Sequence, residues 1–93
     1  MAQLHPAHGA RIVLERASVD DAGANYRVHV YEPDDVLHVS HVHLGQDGVS
    51  LEAWPTEPPE WVRVFTDRLL KSTAKKHAAG PWPRKITRWR EAR

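Results

Sequence analysis

The chain has no cysteine, which rules out disulfide staples and thiolate metal ligands and fits a reducing compartment. Long apolar runs are also missing. The longest strictly aliphatic run is Ile12, Val13, Leu14, and residues 1–10 contain no apolar segment of the signal-peptide kind, so neither a membrane-spanning helix nor a secretory leader is expected. Glycine is scarce, at 5 residues in 93, and no Gly-rich phosphate loop, nucleophile elbow or paired-Cys motif occurs. These absences point to a cytoplasmic, non-enzymatic protein without a cofactor.

A chain of 93 residues makes one domain, whose core is small enough that a sheet and one covering helix would use most of its apolar residues. The net charge of +1 conceals a strong polarity. Residues 1–61 carry 3 Lys and Arg against 10 Asp and Glu, a net of −7, whereas residues 62–93 carry 10 against 2, a net of +8. Such asymmetry marks either a basic region for an anionic partner or two halves that neutralise each other.

Residues 1–9 show no periodicity and read as a flexible arm. Period-2 alternation then predicts strands over 11–19, 26–31, 36–44 and 49–54, separated by turns at Gly23, at Glu32-Pro33-Asp34-Asp35 and at Asp47-Gly48. Helical spacing of Trp61, Val62, Phe65 and Leu69 predicts one long helix over 59–79, with Thr56 as its cap and Gly80-Pro81 as its stop. The expected fold is therefore α+β: a four-stranded antiparallel meander over 10–80, with one long C-terminal helix packed on one face. A basic segment, 81–93, follows either as a tail or as a short second helix, since Trp82, Ile86 and Trp89 are spaced by four and three.

If the turns are tight, Val30 faces Leu37 and His29 faces His38 at the first hairpin, while His43 faces Glu52 at the second. Strand three then needs Leu37 and Val39 inward at its start but Val42 and Leu44 inward at its end, which predicts a β-bulge near Ser40 and His41. The inner face would carry Ile12, Leu14, Val28, Val30, Leu37, Val39, Val42, Leu44, Leu51 and Ala53, and the outer face Arg27, His29, Tyr31, His38, His43, Glu52 and Trp54.

Two residue sets can carry function. Lys71, Lys75, Lys76, Arg84, Lys85, Arg88, Trp89 and Arg90 mix cations that neutralise phosphates with a ring that stacks on bases, which suits single-stranded or duplex nucleic acid. His41, His43 and Glu52 form the candidate metal-ligand set, with solvated imidazoles as the competing reading. A self-associating module, as a homodimer or docked to an acidic partner, is the alternative to nucleic-acid binding, and a small metal-dependent enzyme using the sheet-face histidines is a minor one.

Overall fold

The computed structural model describes residues 5–91. Among them, an antiparallel sheet is covered on one face by a single helix, and the sheet has five strands, one more than expected. These are β1 (Ala10–Asp20), β2 (Gly23–Tyr31), β3 (Leu37–Gly45), β4 (Gly48–Leu51) and β5 (Lys85–Arg90), with α1 (Glu60–Lys76) between the last two. The strand order is β4-β3-β2-β1-β5, so β1 lies between its neighbour in sequence and the last strand of the chain. Among the described residues, no helix is long and apolar enough to cross a membrane.

Alternation holds on β2 and on β1 as far as Arg16. Ile12, Leu14, Val28 and Val30 are fully buried on the helix side, and Tyr26 joins them, its hydroxyl donating to the Pro83 carbonyl at 2.6 Å. The expected bulge is absent from β3, which alternates without a break. A register shift falls instead in β1, between Arg16 and Ser18.

The cause lies in the first hairpin. The Glu32 amide bonds to the Val36 carbonyl, so the loop holds Pro33, Asp34 and Asp35 rather than two residues, and both aspartates adopt positive φ (62° and 63°). Asp tolerates this region because its short side chain bonds locally. One additional loop residue shifts the register by one and turns every following side chain over. His38 pairs with Val30 and Ser40 with Val28, so both point inward, while Leu37 and Val39 face out. At the second hairpin Gly45 pairs with Gly48 and His43 faces Ser50, not Glu52. Trp54 lies past the end of β4 and turns back beneath the sheet, edge-on to His38.

The helix is shorter than expected. Pro59 occupies its N-cap without a side-chain cap bond, and its carbonyl accepts from the Val62 and Arg63 amides at 3.0 Å. Thr56 does not cap; its carbonyl accepts a bond from His38 instead. Val62, Thr66, Leu70, Thr73 and Ala74 form the buried stripe, flanked by half-buried Trp61, Phe65 and Leu69.

The segment after Gly80 is neither tail nor second helix. Trp82 and Ile86 enter the core, and β5 pairs antiparallel with β1, with Leu14 opposite Ile86 and Arg11 opposite Trp89. Of the arm over 1–9, residues 1–4 lie outside the described residues. His5 stands edge-on to Tyr31 and His8 edge-on to Trp89.

Candidate nucleic-acid interface

Strand geometry divides the basic segment between two faces. On β5, Ile86, Arg88 and Arg90 share the helix side with Leu14, Ile12 and Ala10, while Lys85, Thr87 and Trp89 share the open side with Glu15, Val13 and Arg11. Trp89 is 47% exposed on that open face, and its indole N–H donates to the His8 carbonyl. Trp82 is buried. Lys71 and Lys75 lie apart from β5, beside the β3–β4 hairpin, where they line a 460 Å3 groove with Gly45, Gly48 and Val49. Lys71 is paired there with Asp67 at 2.9 Å, and Lys76 stands exposed on the last helical turn. One short ligand cannot engage all eight residues of the expected set.

Arg90 gains a partner that the sequence did not associate with it. The Arg90 guanidinium lies 5.4 Å from the centre of the Phe65 ring, a cation–π distance. Around this contact Glu60, Trp61, Val64, Phe65, Arg68 and Arg90 line a groove of 300 Å3 between α1 and the end of β5. Arg88 is exposed on the same side of β5, with one N–H donated to the Thr87 carbonyl. Two aromatic rings and the Arg68 and Arg90 guanidinium groups thus meet along one surface, with Glu60 as its acid. Arg84 precedes β5, and its carbonyl accepts from the Arg16 amide.

The histidines do not assemble into a metal centre. His41 and His43 project from one side of β3, but His41 lies 3.6 Å from Glu52 and His43 lies 3.3 Å from Asp20. Among the described residues, no three His, Cys, Asp or Glu side chains converge as a metal ion requires. The His43 hydrogen bond holds the Asp20 carboxyl below its ordinary range.

His38 was assigned to the outer face and is instead nearly inaccessible on the inner one. Its Nδ1 donates to the Thr56 carbonyl at 2.9 Å, and its Nε2 lies 2.6 Å from Glu32 Oε2. A carbonyl only accepts, so Nδ1 carries hydrogen, and a proton must also sit between Nε2 and the carboxyl group. This pair ties the β2–β3 hairpin to the segment leading into α1.

His29 behaves differently. Burial pushes its pKa below the ordinary value; nearby Glu15 opposes the shift, and Arg27 and His41 add to it. Its Nδ1 is buried without a hydrogen-bond partner. The unfolded chain therefore takes up this proton more readily than the folded one. Above about pH 6.5 the ring is neutral in both states and adds no pH dependence, and stability is lost as pH falls from there toward the depressed folded value. His29→Val should flatten that loss, measured as the difference between variant and parent urea midpoints at pH 7.5 and 5.5. An equal acid-side loss in both proteins would show that His29 is not its source.

Comparison of the chain with protein-family models, with curated proteins and with solved structures found no significant match.

Proposed function

We propose that the groove between α1 and β5 binds single-stranded nucleic acid, and that the protein acts as a non-enzymatic, cytoplasmic binding module. The observation that carries this reading is the Arg90 guanidinium over the Phe65 ring, inside a groove that also holds Trp61 and Arg68. An aromatic ring stacks on any base, with about 1–3 kcal/mol per base. Arg68, Arg88 and Arg90 supply the positive charge that follows the phosphates. Duplex is a poorer fit, because its bases are already stacked and cannot reach Trp61 or Phe65.

With about three phosphates neutralised and a slope near −0.7 for each, raising salt fourfold from 50 mM should weaken binding roughly 20-fold. Anisotropy of a labelled 12-nucleotide DNA or RNA strand reads this directly. Arg68→Glu with Arg88→Glu, both at exposed positions, should reduce affinity at least about tenfold, whereas Lys75→Glu with Lys76→Glu should change it much less. Binding that ignores salt, or that is lost equally in both double variants, would overturn the assignment. A poly-glutamate peptide that competes equally would assign the groove to an acidic protein partner instead.

A further inference from the structure

The sheet ends at β5, which pairs with β1 on one side and with no strand on the other. The Arg16 amide donates to the Arg84 carbonyl directly across the ladder, and in an antiparallel pair such bonded positions recur at every second residue. Ile86, Arg88 and Arg90 therefore turn their backbone groups toward β1, while the N–H and C=O groups of Lys85, Thr87 and Trp89 point away from the sheet. α1 packs over β3 and β4, and all three of these outward residues are exposed. Among the described residues no backbone group bonds to this edge, and the one side chain that does is Arg88, which donates to the Thr87 carbonyl at 2.8 Å.

The same edge is strongly basic. Arg84, Lys85, Arg88 and Arg90 fall within a run of seven residues that contains no acid. Across the ladder β1 offers them a single carboxylate, Glu15 opposite Lys85, whereas Arg88 and Arg90 face Ile12 and Ala10. Among the described residues none of these cations belongs to an ion pair. β4, at the other edge of the sheet, has only four residues and no charge.

We propose that the outer edge of β5 takes an extended acidic peptide of another protein as an added antiparallel strand. The unpaired backbone groups select a peptide, because a nucleic-acid strand has no alternation of N–H and C=O to match them. The charge selects its composition. A second β5 is rejected, since antiparallel pairing of Lys85–Arg90 with itself sets cations among cations, the usual protection of an edge against its own copies. β4 of a second copy brings no acid. In the added strand, carboxylates would lie opposite Arg84, Lys85, Arg88 and Arg90, and β-branched residues opposite Ile86, Thr87 and Trp89. The incoming strand displaces the Arg88 guanidinium from the Thr87 carbonyl and frees it for a carboxylate.

This edge does not rest on nucleic-acid binding in the α1–β5 groove. Arg88 and Arg90 border both surfaces, so competition between ligands would not separate them, and the test must read the backbone ladder itself. A peptide with the core Glu-Val-Glu-Thr-Val-Glu-Glu, its first residue meeting Arg90 and its last Arg84, should bind the full chain with micromolar affinity in isothermal titration calorimetry. Its second and fourth residues turn their N–H groups toward Trp89 and Thr87. Methylating those two amide nitrogens should weaken binding at least about tenfold, whereas methylating the third and fifth, which point to solvent, should change it less than about threefold. Thr87→Pro strips an outward N–H without removing a bond to β1, and should also weaken binding at least about tenfold with far-UV circular dichroism unchanged. The methylated pair decides the question on the parent protein even if that variant fails to fold. No binding at about 100 μM, equal loss from both methylated peptides, or a folded Thr87→Pro that binds normally would each overturn the added strand. None of these results bears on the α1–β5 groove, which the anisotropy measurement tests separately.

Discussion

A chain ending at Gly80 should fail to fold cooperatively. Residues 81–93 supply Trp82 and Ile86 to the core, and removing side chains of this kind costs about 3–5 and 2–5 kcal/mol respectively. The Tyr26 hydroxyl loses its acceptor at Pro83, and the Arg16 guanidinium loses the Trp82 carbonyl at 2.7 Å. The combined loss, roughly 6 kcal/mol or more from these terms, is comparable with the whole stability of a small domain. β1, rich in apolar residues on both faces through Ile12, Val13 and Leu14, would also become a bare edge, the kind of strand that recruits other chains. Thermal melting followed by circular dichroism and light scattering checks this. A cooperative transition within about 10 °C of the full chain would contradict the role given to β5. Truncation is for the same reason no test of nucleic-acid binding, which needs point variants in a folded protein.

Replacing His38 by alanine should cost about 3 kcal/mol, since it removes a buried ring together with both of its hydrogen bonds. The variant leaves the largely buried Glu32 carboxylate and the Thr56 carbonyl without donors and opens a void beneath Trp54. His38→Phe keeps most of the volume, so its remaining loss reports the hydrogen bonds alone. Combining Glu32→Gln with His38→Phe should cost less than the sum of the two single changes, because the hydrogen bond they share can be lost only once. Urea unfolding measures all three. A loss below 1 kcal/mol for His38→Ala would mean that the pair does not anchor the approach to α1. The consequence reaches the groove, since Thr56 stands four residues before the start of the helix that carries Trp61, Phe65 and Arg68.

The parts of the fold that were legible are those set by local pattern. Period-2 alternation placed β1 and β2 and their buried faces, and helical spacing located α1. The face of β3 was not legible, because it depends on one loop residue between Glu32 and Val36 and on two aspartates accepting positive φ. The inward polar groups His38 and Ser40 looked unfavourable in sequence because their partners, Thr56, Glu32 and the Glu52 carbonyl, are defined only by the folded chain. β5 was obscured by a coincidence of spacing, since Trp82, Ile86 and Trp89 suit one face of a helix. A signal for the strand was present in Ile86, Thr87 and Trp89, residue types that favour pleated surfaces. The α1–β5 groove was half visible. Arg88 and Arg90 stood out by charge, but the aromatic neighbours of Arg90 come from the apolar stripe of α1, which had been read as core while only the lysines of that helix were assigned to binding.

The seating of β5 against β1 also governs when the domain can exist during synthesis. Ala10 waits for Arg90, 80 positions later, so the first strand to leave the ribosome is the last to be enclosed. Until then Ile12 and Leu14 have a neighbour on one flank alone. A topology of such distant contacts folds toward the slow end for its size, and the nascent chain should be a client for chaperones that shield apolar strands until translation has passed residue 90.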